Sequence, residues 1–200
     1  MGRRRVLGVT GLIACGKSTV ARLLAARGAE VIDADAVAHA VMAPGTPVHQ
    51  AIVQTFGPGI LRSDGQIDRR KLGAIVFRDP ALLRRLEQIV WPEVVARIHA
   101  QVARSQAPLV VIEAIGLFEA GLDRLCDAIW VVTCRPDQQL ARLMQHRGLS
   151  REEAEIRLQA QGDIAPKLAR ATVVIDNTGP LAETERQVER ALQRLLAADP

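Results

Sequence analysis

The chain has 200 residues, 48% of them hydrophobic and 24% charged, with a formal net charge of +4. That length and balance suit one soluble α/β domain with a sizeable core and exclude a fibrous or disordered chain. No apolar run approaches the roughly 20 residues a membrane helix needs, and the three cysteines, none in a CxxC pair, fit a reducing compartment rather than a disulfide framework.

Lysine occurs only at positions 17, 71 and 167, so arginine makes up all but three of the 26 basic residues. Guanidinium forks suit phosphate groups, although a general arginine bias is the simpler explanation of the excess. Two tryptophans, three phenylalanines, no tyrosine and no dense basic run beyond Arg3-Arg4-Arg5 give little support for nucleic-acid binding. The basic start is not read as a secretion signal, because Gly8, Gly11 and Lys17 interrupt the apolar run behind it. A cytoplasmic protein with neither membrane nor nucleic-acid partners is expected.

Val6 to Thr10 is short, apolar and partly β-branched, as a buried strand should be. Gly11-Leu12-Ile13-Ala14-Cys15-Gly16-Lys17-Ser18 then fits the phosphate-loop pattern G-x-x-x-x-G-K-[ST] at every fixed position. Thr19 opens a helical stretch with Val20, Leu23 and Leu24 on one face and Gly28 as its stop. Glycines let successive N–H groups turn inward around a phosphate, and the helix N-terminus adds its positive end. Lys17 is positioned to reach β- and γ-phosphates, and the Ser18 hydroxyl to hold Mg²⁺. Cys15 is either an oxidisable thiol within that loop or simply a small loop residue.

Ala29 to Ile32 reads as a second strand ending in Asp33-Ala34-Asp35, before a helix from Ala36 to Met42. Ligands of open parallel sheets sit at strand carboxyl ends, so these two carboxylates are candidates for metal coordination or for orienting an attacking hydroxyl. One of them also suits the cap of the next helix. Pro44-Gly45-Thr46-Pro47 breaks the chain, and from Val48 to Arg104 the pattern is helical. It predicts helices over Val48–Phe56, from Asp68 through Phe77, and from Asp79-Pro80 onward, the last interrupted at Trp91-Pro92 and resuming towards Val102.

Leu109 to Glu113 is a continuous apolar third strand, with Glu113 at the ligand-facing end. Ala128–Thr133 and Thr172–Ile175 are the fourth and fifth. Between them, two helices over Pro136–Ala160 flank a turn at Arg147 to Ser150, where Ser150 and Glu153 form a capping box. Arg142 and Arg147 on this hairpin suit a lid that brings guanidinium groups onto a transferring phosphate, although acidic neighbours account for most of its arginines as surface pairs. A final helix over Pro180–Ala197 carries Leu181, Val188, Leu192 and Leu195 on its packing side.

This ordered set resembles the dephospho-coenzyme A kinase family, P-loop kinases of the nucleoside monophosphate kinase type. The matching pieces are the phosphate loop, Val31 to Asp35, Ile67-Asp68-Arg69 with Leu72 and Phe77, and Leu117-Phe118-Glu119. Arg142 with Met144-Gln145, Arg147, Ala160-Gln161 and Val174 to Gly179 complete it. The resemblance implies a three-layer α/β fold: a five-stranded parallel sheet flanked by helices, a helical acceptor-binding insertion over 44–105, and a lid over 136–161. It implies transfer of the γ-phosphoryl of ATP, with Mg²⁺, to the ribose 3′-hydroxyl of dephospho-CoA, by a monomer or weak homo-oligomer.

By position, Asp35 matches the family's base and Asp33 its companion, Lys17, Arg142 and Arg147 carry positive charge to the phosphates, and Gly11 to Thr19 hold them. Asn177 and Gly179 would lie near the adenine. Thr10, Asp35, Arg69, Trp91, Pro92 and Leu117 would meet the acceptor. The chain departs from the family pattern at Leu12 and Ala14, where glycines are usual, and at Trp91, Ile115 and Gly116. The last three fall on the acceptor side, so a kinase for another nucleotide or nucleoside, or an ATP-binding relative without turnover, stand as alternatives.

Overall fold

The computed structural model describes residues 4–197; Arg3 of the basic start and residues 198–200 lie outside them. Its strands are β1 (Arg5–Thr10), β2 (Glu30–Asp33), β3 (Leu109–Glu113), β4 (Ala128–Thr133) and β5 (Val173–Asp176). All pair in parallel, in the order β2-β3-β1-β4-β5. The helices are α1 (Lys17–Ala25), α2 (Ala34–Val41), α3 (Pro47–Phe56), α4 (Arg69–Val76) and α5 (Pro80–Arg104), then α6 (Pro136–Arg147), α7 (Arg151–Gln159), α8 (Ala165–Leu168) and α9 (Leu181–Ala197).

Two compact units form: one from the described parts of Met1–Asp33 and Gln101–Pro200, the other from Ala34–Ala100. The first holds the sheet. Its main apolar cluster takes alternate residues from the strands: Leu7 and Val9, Leu109 and Val111, Ala128, Trp130 and Val132, and Ile175. Period-two alternation sends these side chains to one face, where Val20 and Leu24 of α1 and Val188 and Leu192 of α9 meet them. Burying each large apolar side chain contributes about 1.5–3 kcal/mol. Gly8, which points the other way, lets Leu117 approach so closely that a Cβ would stand 2.7 Å from its Cδ2.

Register brings the functional ends of the strands level. Val9 and Asp33 both pair with Glu113, and Thr133 pairs with Asp176. The order reverses at β1, flanked by β3 and β4, so the loop after β1 opens at the topological switch point where α/β sheets bind ligands.

The second unit is helical, as its sequence predicts. Thr46 caps α3, accepting the His49 N–H at 3.0 Å, and Asp68 caps α4, accepting from Arg70 and Lys71 at 3.0 and 3.2 Å. Those charge-assisted bonds, the Lys71 N–H foremost, hold the Asp68 carboxyl below its ordinary pKa.

Three details correct the sequence expectations. Helix α2 begins at Ala34, so Asp35 lies in its first turn and only Asp33 ends the strand. Helix α5 is uninterrupted and contains Pro92, which removes one N–H from the ladder and leaves the Gln88 carbonyl without its usual partner. Intact turns on both sides carry the helix across that defect. Leu181, the first residue of α9, is 53% exposed; the packing face starts one turn later, at Thr184, and includes Ala191.

Candidate active site

Strand β1 delivers the chain into the loop Gly11–Gly16, and α1 starts at Lys17. Two glycines here are required by geometry. Gly11 has φ +143° and a Cβ on it would collide with the Val132 carbonyl, while Gly16 has φ +100° and a Cβ would collide with the Asn177 amide nitrogen. Ala14 has φ 58°, the one positive φ outside glycine among the described residues. A left-handed alanine costs roughly 1–2 kcal/mol, a strain that the loop's other bonds must offset. Leu12, the second departure from the usual glycines, does not share it.

A loop that turns its N–H groups towards a phosphate leaves its carbonyls on the outside, where burial demands donors. Four side chains supply them in sequence. Lys17 Nζ donates to Leu12 O at 3.1 Å, Gln139 Nε2 to Ile13 O at 2.8 Å, Arg142 Nη1 to Ala14 O at 3.1 Å, and Asn177 Nδ2 to Cys15 O at 2.9 Å. The Ile13 N–H itself donates to Gln161 Oε1 at 2.6 Å.

Lys17 is buried, and the Ser18 hydroxyl donates to Glu113 Oε1 at 2.7 Å, tying the first turn of α1 to the end of β3. Arg142 also donates to the Asn177 carbonyl at 3.4 Å. The Asn177 side chain is tied internally at both ends, its nitrogen donating to Cys15 O and its oxygen accepting from Thr184 Oγ1 at 2.9 Å. Gly179 is exposed beside Glu183. Arg147 is exposed at the last residue of α6, which Gly148 ends with φ 61°.

Thr10 and Leu117 are fully buried: the Thr10 hydroxyl donates to Ile115 O at 3.1 Å, and Leu117 packs beneath Gly8. Both side chains are committed to the interior. Ile115 O also accepts from the buried Lys167, whose Nζ pairs with Glu119 at 2.6 Å, pinning this loop from α8. Asp33 is exposed at the sheet edge. In the second unit, Asp35, Arg69 and Pro92 are exposed and Trp91 is half-buried.

The Cys15 thiol is buried within the main core cluster, and burial raises its pKa despite the opposing charge of Lys17. It is therefore a packing residue with little thiolate character rather than a reactive group. Among the described residues no group of three or more His, Cys, Asp or Glu is placed to hold a metal by itself. No helix there is long and apolar enough to cross a membrane.

A family model described as "CoaE: Dephospho-CoA kinase" matches residues 5–183. The chain is 50% identical over 190 residues to a dephospho-CoA kinase of Symbiobacterium thermophilum, covering 94% of this chain and 80% of that protein. A solved dephospho-CoA kinase from Campylobacter jejuni superposes with TM-score 0.67 at 30% identity, covering 96% of this chain and 98% of its own. The solved protein TT1252 from Thermus thermophilus reaches TM-score 0.80 at 35% identity, covering 98% and 100%.

Proposed function

The chain belongs to the dephospho-CoA kinase family, and from that premise we propose that it transfers the γ-phosphoryl of ATP to the ribose 3′-hydroxyl of dephospho-CoA, giving CoA and ADP. The observation that carries the reading is the loop between β1 and α1, held in shape by Lys17, Arg142 and Asn177 with Ser18 on Glu113 beside it.

Phosphoryl transfer asks a protein mainly to position reactants and to neutralise charge spread over the moving group. The N–H groups at the start of α1 lack intrahelical acceptors and meet phosphate oxygens. The Lys17 ammonium keeps two donors beyond the one spent on Leu12 O. Arg142 already lies on the loop, and Arg147 belongs to the same α6–α7 hairpin, which we assign as the lid.

Asp35 takes the 3′-hydroxyl proton as the acceptor oxygen bonds to the γ-phosphorus and the bond from that phosphorus to the β,γ-bridging oxygen breaks, releasing ADP. Arg69 and Trp91 are assigned to the acceptor, within the helical segment over 44–105. Ser18 and Glu113 offer a hydroxyl and a carboxylate oxygen 2.7 Å apart, hard donors that fit Mg²⁺. Ser18 and Glu113 would hold that ion, which would supply positive charge against the charge developing in transfer. Three free cysteines support a cytoplasmic setting.

The test is product analysis of a reaction with ATP, Mg²⁺ and dephospho-CoA. One phosphate gained at the 3′-oxygen, with ADP in equal amount, supports the reading; release of free phosphate without CoA overturns it.

A further inference from the structure

Ile13 sits at the tip of the phosphate loop and is gripped on both sides of its peptide. Its N–H donates to Gln161 Oε1 at 2.6 Å, and its carbonyl accepts from Gln139 Nε2 at 2.8 Å. Gln139 is 4% exposed and lies in α6, and Gln161 follows α7, so one residue comes from each arm of the hairpin. The Ile13 side chain completes the grip: it is buried with Leu143 and Ala154, one from each of the same two helices, and Leu140 and Leu158 pack alongside.

A carboxamide suits this task. It presents both a donor and an acceptor without charge, so it can hold a peptide close to a triphosphate without repelling it. The hold matters because Ala14, the next residue, keeps a left-handed φ of 58° that an alanine does not choose unaided. Released from Gln161 and Gln139, the tip relaxes towards negative φ at Ala14 and turns its N–H away from the phosphate. We propose that Gln139 and Gln161 are positioning residues of the phosphate loop, fixing the Ile13 peptide so that the N–H groups from Ala14 onward are set for triphosphate before it arrives. This rests on the reading of Gly11–Ser18 as the ATP phosphate site.

The test compares wild type, Gln161→Leu and Gln161→Glu by calorimetric titration with Mg²⁺-ATP, by steady-state kinetics, and by amide hydrogen exchange at Ile13. Leucine keeps the volume and removes the acceptor, while glutamate keeps an accepting oxygen. The expected result is ATP affinity weakened about tenfold in Gln161→Leu, the scale of one lost hydrogen bond. The KM for dephospho-CoA should be unchanged, and Ile13 exchange faster in Gln161→Leu but protected in Gln161→Glu.

Should Gln161→Leu fold poorly, Gln139→Met measures the same effect from the carbonyl side. Wild-type ATP affinity and Ile13 protection in the leucine variant would overturn the proposal and leave the ATP reading standing. A wild-type protein that binds no ATP would overturn both. Binding of ATP that weakens in the variant, without turnover of dephospho-CoA, would support the positioning role and refute only the acceptor.

Discussion

The Ser18 hydroxyl donates a 2.7 Å hydrogen bond to Glu113 Oε1, joining the first turn of α1 to the last residue of β3. Glu113 is only 9% exposed, and a buried carboxylate is tolerated where hydrogen bonds and a cation answer its charge. Under the proposed assignment of Ser18 and Glu113 to Mg²⁺, this carboxylate would hold the ion together with the hydroxyl it orients, and groups that orient metal ligands typically carry about 10–100-fold in metal affinity or activity. Glu113→Gln should therefore lower turnover by about that factor and raise the Mg²⁺ concentration needed for half-maximal rate. A magnesium titration of the rate with unchanged midpoint in the variant would remove Glu113 from this role.

Asp35 lies in the first turn of α2, exposed, and is assigned as the base. Asp35→Asn keeps the size and a hydrogen-bonding oxygen but cannot take a proton, so turnover should drop about 10²-fold or more while ATP still binds. Near-normal turnover alongside normal ATP binding would exclude the assignment.

The two unusual backbone positions of the loop separate strain from collision. Ala14→Gly relieves a left-handed alanine at the cost of extra unfolded-state entropy, so stability should move by less than about 1 kcal/mol. Ala14→Val places a β-branched residue at φ 58° and should lower the Tm clearly. Gly16→Ala meets both a φ of +100° and the Asn177 amide, and should lose ATP binding. Thermal melts with and without ATP distinguish these outcomes; a Gly16→Ala protein that ATP still stabilises would contradict the loop geometry.

Burial pushes the Cys126 thiol up to about 12, with the nearby carboxylates Asp123 and Asp127 adding to it, and raises Cys134 to about 11. All three thiols should resist alkylation by iodoacetamide near neutral pH in the folded enzyme. The sign for stability follows. Above the ordinary thiol pKa of 9.0 the unfolded chain gives up its Cys126 proton first, so stability is full below pH 9 and falls as pH rises towards 12. Cys126→Ala should flatten that decline in an unfolding titration; an unchanged slope would show that Cys126 does not contribute it.

Much of this was legible in the sequence because the signals are local. Four fixed residues and a strand–loop–helix context mark the phosphate loop, and five apolar runs mark the strands to within a residue or two. Asp68 and Ser150 declare their helix starts through spacing alone, and both caps form. Pro92 was misleading: its local cost is real, yet twenty-four other residues hold α5 together. The burial of Leu117 depends on Gly8, more than a hundred positions away, which leaves room for it, so no local pattern shows it. Gln139 and Gln161 bond Ile13 from 126 and 148 positions away, a pairing that no spacing rule reveals.

The most direct test of the central claim is an ADP-release assay with ATP and Mg²⁺ across four acceptors: dephospho-CoA, AMP, CMP and adenosine. The account predicts ADP formation with dephospho-CoA alone, despite the changed residues Trp91, Ile115 and Gly116. Faster turnover of AMP, CMP or adenosine would contradict it and make those positions the seat of a different acceptor specificity.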